Sequence, residues 1–468
     1  MSGLWTRSAS ELAAGIARKA FSSAEVVEAH LQRIEAVNSR VNAVVRILGE
    51  EARRDAAEVD RRVAAGETLG PLHGVPFTIK ENIDMAGLPT TWGVPALAQA
   101  VVPMDAPIVE RMRAAGAIPI GRTNLPDMGL RVHTDSSLHG LTRNPWNAGR
   151  TCGGSSGGEA VALATGMSPL GLGNDIGGSL RNPANACGIA SIRPTQGRVP
   201  KAGLVPREDT LLAVQLMNTD GPMARRVADV RLALRIIEGA HPRDPWSLDP
   251  PPEQPSRGAK PRVAMVAEPP PGPTDPAVAK AVRNAGVALH DAGYEVVEIV
   301  PPRYEEIAPV YGQFLIGDFR SIQALIEQLM GKDGAFFFKV AAAGLPPLDA
   351  AAMSNVFIAR AALARAWSQF MADYPLVLSP VWTQLPFQVG FDVASPENVA
   401  ATAQMFRPVQ PANLFGLPSV CVPAAFDGET GLPVGVLLTG RRMRDDECLD
   451  AAEAIESRLP AKTPIDPA

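Results

Sequence analysis

The sequence predicts one α/β domain with a helical insertion. Three observations carry that prediction. Short apolar runs of strand type alternate with helical patterns to both ends of the chain. No internal repeat divides it. One long stretch, 307–370, reads as mostly helical and interrupts the alternation. At 468 residues the chain can bury a large core. Its 46% hydrophobic and 20% charged residues are ordinary for a globular protein.

The helical N-terminal segment spans about 8–65. Ser8-x-x-Glu11 and Ser22-x-x-Glu25 read as capping boxes, in which a serine oxygen and a glutamate three residues on satisfy each other's backbone donors. The second box opens a helix whose Val26, Val27, His30, Leu31, Ile34 and Val37 share one face. His30 on that face is structural. A further helix covers Glu50–Ala65 and stops at Gly66. The core that follows spans about 70–240. Val75–Ile79 and Ala117–Ile120 are short buried strands flanking a helix at Ile108–Ala115. Glu159–Thr165 is a helix, and Leu170–Leu172 and Gly188–Ile192 are strands.

Asp249–Pro261 is rich in proline and polar residues and reads as a surface connection. Val263–Ala267 and Tyr294–Val300 are strands around a helix at Asp275–Ala292. The helical cap or insertion spans about 304–370, and Gly344-Leu345-Pro346-Pro347 suggests a movable edge to it. C-terminal strands at Leu376–Ser379, Ser419–Val422 and Val434–Leu438, with a helix at Asp445–Leu459, complete a segment of about 375–460.

Bulk properties exclude several function classes. A net charge of −5 leaves no basic footprint for nucleic acid or an anionic membrane. No apolar run is long enough to span a bilayer. Cys152, Cys187, Cys421 and Cys448 form no C-x-x-C pair, which fits a reduced compartment. The first residues form no secretory apolar stretch, so a cytoplasmic location is the expectation. No metal-ligand cluster is visible and no cofactor is called for.

Chemistry concentrates in two glycine-serine runs and one lysine. The runs are Cys152-Gly153-Gly154-Ser155-Ser156-Gly157-Gly158 and Gly173-Asn174-Asp175-Ile176-Gly177-Gly178-Ser179-Leu180-Arg181. Serine among glycines leaves room for a substrate carbonyl to approach the hydroxyl and nearby backbone N–H groups. Lys80 ends an apolar strand, where burial favours its neutral, basic form. Together they supply a nucleophile, a base and an oxyanion site without histidine. A phosphate cradle is excluded, because neither run continues as Gly-Lys-Ser/Thr. Gly154-Ser155-Ser156-Gly157-Gly158 does match a G-x-S-x-G nucleophile elbow centred on Ser156. That fold requires a late histidine, and the last one here is His290.

These runs and their flanks resemble the amidase signature family. The resemblance continues through Asn182-Pro183-Ala184-Asn185-Ala186-Cys187-Gly188 and Arg193-Pro194-Thr195. Upstream it includes Gly70 to Asn82, and downstream Pro411 to Pro418 and Gly431 to Gly435, so it covers nearly the whole chain. It implies a central mixed β-sheet flanked by helices on both faces. It also implies a Ser-cisSer-Lys triad, with Ser179 as nucleophile, Ser155 as bridging serine after a cis peptide bond, and Lys80 as base. The backbone N–H groups of Ile176, Gly177, Gly178 and Ser179 would then face the oxyanion. Ser156 either hydrogen-bonds locally or assists catalysis. Asp175 and Arg181 read as a scaffold ion pair, and Cys152 and Cys187 as packing residues.

Some positions depart from the family pattern. Asn174 stands where threonine is common, Arg193 replaces a usual lysine, and Gln196 stands where a larger residue is frequent. Met128-Gly129-Leu130 replaces an acidic-aromatic segment. Asn174, Gln196, Met128 and Gly129 are therefore auxiliary or substrate-binding candidates. Phe336-Phe337-Phe338, Phe357, Trp367, Trp382, Phe387 and Phe406 either line an apolar pocket or, for most of them, fill the core. The expected partner is a small-molecule amide or carbamate, with urethanase activity among the possibilities and a homodimer left open. Two other classes stay open: a glutamine-hydrolysing A-type subunit of an amidotransferase, and a catalytically silent binding protein.

Overall fold

The computed structural model describes residues 3–67, 69–205, 210–251, 260–345, 348–459 and 462–468. The strands in chain order are β1 (Val44–Ile47), β2 (Pro76–Lys80), β3 (Ile118–Thr123), β4 (Asp135–Ser136), β5 (Gly140–Leu141), β6 (Leu170–Asp175) and β7 (Ala190–Arg193). They continue as β8 (Thr219–Ala224), β9 (Val263–Met265), β10 (Val296–Glu298), β11 (Leu376–Pro380), β12 (Ser419–Phe426) and β13 (Pro433–Gly440). Eleven of them form one sheet in the order β1-β3-β2-β6-β8-β7-β12-β13-β11-β9-β10, while β4 and β5 make a separate ribbon. The sheet is mixed: β2 runs parallel to both β3 and β6, and β8, β12 and β13 are antiparallel to their neighbours.

Both faces are covered, and side-chain alternation shows it. Phe77, Ile79, Leu170, Leu172, Val420, Val422, Val436 and Leu438 enter one apolar core; Cys421 and Leu437, pointing the other way, enter a second. The first core is closed by helices Ala9–Ala17, Pro107–Ala114, Val227–Ile237, Pro276–Asp291 and Asp445–Glu456. The second is closed by Ser23–Val41, Gly49–Ala64, Gly157–Ala164 and Arg181–Cys187. Both predicted capping boxes are present: Ser8 and Ser22 accept from the N–H groups of Glu11 and Glu25, whose carboxylates accept from the serine N–H groups. His30 is buried, with Nδ1 2.8 Å from Val26 O.

The helical insertion consists of Ile307–Phe319, Gln323–Leu329, Lys332–Ala343 and Ala350–Asp373. It has its own core, where Tyr304, Tyr311, Phe314, Leu363 and Trp367 pack against Ala264 and Val377 from the sheet and Val266 just past β9. Most of the candidate aromatic residues are core. Trp367 tilts against Tyr304 and Phe415, Phe357 meets Phe314 edge-on, and Trp382 stacks on Phe387. All four cysteines are buried thiols. Among the described residues no helix is long and apolar enough to cross a membrane. Most of the predicted connection at 249–261, and Pro346-Pro347 of the predicted cap edge, lie outside the described residues.

Two main-sheet strands were not legible. The β8 run contains Gly221-Pro222, which ordinarily argues against a central strand. It is tolerated because pairing with β7 involves only Met223 and Ala224 and stops before the proline, while β6 pairs along the whole strand. The four-residue β1 follows a helix directly and has no alternating pattern of its own.

Candidate active site

Three parallel strands place their carboxyl ends together: Lys80 ends β2, Thr123 ends β3 and Asp175 ends β6. Ligand sites in α/β sheets form at such ends. Phe77 and Ile79 face the first core, so Thr78 and Lys80 point to the opposite side. There the chain segment after β5 delivers the first serine run and the helix Gly157–Ala164.

Lys80 is fully buried. Its Nζ lies 2.7 Å from Ser155 Oγ and donates to Asn174 Oδ1 at 2.7 Å. The Asn174 amide is oriented by Asn82, whose Oδ1 accepts from Asn174 Nδ2 at 2.9 Å. Burial, reinforced by the positive charge of Lys201, brings the Lys80 ammonium down to about 7; Asp175, Asp220 and Glu159 pull weakly the other way. Beneath it, Glu159 accepts from the hydroxyls of Thr78 and Thr123, and burial pushes its carboxyl up to about 8. Glu159 had no sequence signal beyond its place in a helix.

The peptide bond between Gly154 and Ser155 is cis. Position 154 admits no side chain, because a Cβ there would stand 2.9 Å from Arg131 O and from His133 N. Thr134 ties the loop down: its Oγ1 donates to Gly153 O at 2.8 Å and accepts from Gly157 N at 3.2 Å. Ser156 N donates to Ser179 O at 3.2 Å, which joins the two serine runs. Ser156 Oγ is buried and makes no hydrogen bond among the described residues, so it is not a local cap.

The second run bends around Asp175. Its carboxylate accepts from Gly178 N at 2.8 Å and Leu180 N at 3.1 Å, from Arg181 Nε and Nη2 at 2.9 Å each, and from Asn413 Nδ2 at 2.8 Å. Burial opposes its ionisation, but the Arg181 charge and these donors outweigh burial and hold the carboxyl well below the usual range. The expected scaffold pair is thus in place. Of the four N–H groups expected to face an oxyanion, that of Gly178 is occupied by Asp175. Those of Ile176, Gly177 and Ser179 donate to no protein group among the described residues.

The other candidates divide. A Cβ built on Gly129 would lie 3.4 Å from Ser155 Oγ and 3.9 Å from the Trp92 ring, so this loop lines the site. Met128, held at φ 52°, and Leu130 pack on a cluster of Ile326, Met330, Phe338 and Ala342, with Ile316 and Phe319 of the insertion. Gln196 is engaged elsewhere: it accepts from Arg193 Nη2 at 3.3 Å and donates to Gln215 O at 2.9 Å. Sequence reasoning missed Trp92, Glu159, Asn413 and Tyr311. Only Asn413 lay in a quoted motif. Tyr311 sits in the insertion, far along the chain, and donates to Ile176 O at 3.1 Å.

Comparison with known proteins gives the family. The sequence pattern of the Amidase family matches residues 25–449. The chain is 42% identical to an indoleacetamide hydrolase of Bradyrhizobium diazoefficiens, over 97% of this chain and 87% of that protein. It is 34% identical to an acylamidase of Rhodococcus erythropolis, over 97% and 95%. The solved structure of a 6-aminohexanoate cyclic dimer hydrolase with its substrate superposes with a TM-score of 0.85 at 27% identity, covering 98% and 99%. The chain is therefore a member of the amidase family, the amidase signature enzymes, and a hydrolase acting on amides.

Proposed function

We propose that this protein cleaves the C–N bond of a small amide bearing an apolar, aryl-containing acyl group, through an acyl-enzyme on Ser179. The observation that carries the reading is the buried, 2.7 Å pairing of Lys80 Nζ with Ser155 Oγ beside the Ser179 loop.

Neutral Lys80 accepts the Ser155 proton as Ser155 accepts that of Ser179. Ser179 Oγ then adds to the amide carbonyl. The oxyanion forms against the free N–H groups of the Ile176–Ser179 turn, already oriented before substrate arrives. Collapse of the adduct breaks the C–N bond, and Ser155 passes the proton to the departing nitrogen. Water, deprotonated through the same relay, attacks the ester and releases the acid.

The acyl preference is supported by the apolar cluster that carries the Gly129 loop beside Ser155. Met128, Leu130, Ile316 and Phe319 are apolar and only partly buried, which leaves hydrophobic surface for an aryl group. The similarity to an indoleacetamide hydrolase supports the same choice. Ammonia release from indole-3-acetamide, phenylacetamide, propionamide and glutamine, with aniline release from a phenylcarbamate ester, tests the reading. The arylacetamides are expected to exceed propionamide in kcat/KM by about 10–100-fold, as burial of a ring's apolar surface supports. Turnover confined to glutamine would establish the amidotransferase-type activity instead. Turnover confined to the carbamate would establish a urethanase.

A further inference from the structure

Each peptide unit in the turn before Ser179 has its carbonyl held by a named donor. Asp175 O accepts from Asn413 Nδ2 at 3.3 Å, Ile176 O from Tyr311 Oη at 3.1 Å, Gly177 O from Asn182 Nδ2 at 3.1 Å, and Gly178 O from Asn182 N at 2.6 Å. These peptide bonds are trans, so the C=O and the following N–H point in opposite directions. Fixing a carbonyl therefore aims the next N–H. The Asn413 bond aims Ile176 N–H, the Tyr311 bond aims Gly177 N–H, and the Asn182 backbone bond aims Ser179 N–H. The side-chain bond of Asn182 turns Gly178 N–H toward Asp175, where it is found.

Three of these holds come from Asn182 and Asn413, in the short helices Arg181–Cys187 and Gln410–Phe415 outside the insertion. Tyr311 lies instead in the helix Ile307–Phe319, inside the insertion, and its ring is buried in the insertion core. Gly177 also bears on Tyr311. A Cβ built on Gly177 would overlap Tyr311 Oη, whereas the next atom of that ring, Cζ, stands 3.6 Å away at ordinary contact distance. Gly177 is not among the glycines with positive φ, so its backbone does not itself forbid alanine.

We infer that Tyr311 is a positioning residue: its hydroxyl, delivered by the helical insertion, clamps the Ile176–Gly177 peptide and aims the Gly177 N–H at the developing oxyanion. The inference rests on the reading of Ser179 as nucleophile. It makes the hole complete only when the insertion is docked on the turn.

The test is a double-mutant cycle with phenylacetamide. Tyr311→Phe removes the clamp and keeps the ring. It is expected to lower kcat by about tenfold, less than the 10²–10³ typical of deleting an oxyanion donor, because the N–H remains but is no longer held. KM and the pH at which activity rises should stay at their wild-type values, a split that general loosening of the fold would not give. Gly177→Ala in the wild-type background should be more damaging than Tyr311→Phe. In the Tyr311→Phe background the same alanine should cost markedly less, because the overlapping oxygen is gone. Wild-type kcat in Tyr311→Phe, or equal costs of Gly177→Ala in both backgrounds, would overturn the inference. If Tyr311→Phe does not fold, wild-type kcat in Gly177→Ala alone would overturn it. Fluorophosphonate labelling of the wild type separates the two levels. An unlabelled Ser179 sinks the catalytic reading, whereas a labelled Ser179 with an indifferent Tyr311 sinks only the clamp.

Discussion

Lys80 is fully buried and makes both of its hydrogen bonds to neutral oxygens, Ser155 Oγ and Asn174 Oδ1. Burial strips the ammonium of water and no carboxylate among the described residues pairs with it directly, so a group that is ordinarily charged is brought down to about 7. A base must be deprotonated to act, so kcat/KM should rise with pH through a single limb near 7. Lys201, whose positive charge lowers Lys80, supplies a second check. Lys201→Gln removes that repulsion and leaves Asp220, its 2.7 Å partner, unpaired. Both changes favour the ammonium, so the limb should move to higher pH in a rate profile. Asn174 belongs to this scale as well. Its amide is paired with that of Asn82, so Oδ1 acts as an acceptor toward Lys80, which in the proposed relay leaves the amine lone pair for Ser155. The sequence placed Lys80 at a buried strand end and marked both serine loops, because glycine runs and apolar patterns are local signals. Asn413 and Tyr311 were invisible as partners of the turn, since their contacts span 238 and 135 residues.

At the scale of elements, the turn after β6 is held by the buried ion pair of Asp175 and Arg181. Asp175→Asn leaves the guanidinium without its counter-charge and releases Gly178 N–H. Removing one partner of a buried pair typically costs about 3–5 kcal/mol, so a denaturant titration should show a loss of that size together with loss of turnover. The N-terminal caps are the contrasting case. Ser22→Ala opens the capping box of helix Ser23–Val41, away from the site, and should cost about 1 kcal/mol with no change in kcat. The caps were readable because they depend on residues three apart. The β8 strand was not, because Gly221 and Pro222 are acceptable only through the pairing their neighbours make.

For the whole molecule, keeping a lysine neutral in the core has a cost in stability. The folded-state Lys80 titrates at about 7 against 10.5 in the unfolded chain. Between these values the unfolded state binds more protons, so this group makes stability rise with pH. The penalty is full below about pH 7 and gone above about 10.5. Lys80→Met should therefore be inactive yet more stable than wild type near pH 6, by an amount of order a few kcal/mol, with the difference shrinking toward pH 10. A reversible denaturation series across that range reads it directly. The fold that supports this site was legible as one α/β domain from alternating elements at both ends of the chain. The mixed order of the eleven strands was not, because the antiparallel insertion of β8 between β6 and β7, and of β13 between β12 and β11, leaves no local trace.

The most direct test of the account is fluorophosphonate labelling followed by peptide mapping. The account predicts one adduct, on Ser179, with labelling abolished by Ser179→Ala and slowed by orders of magnitude in Lys80→Ala. An adduct on Ser156, or labelling at Ser179 at an undiminished rate without Lys80, would contradict it.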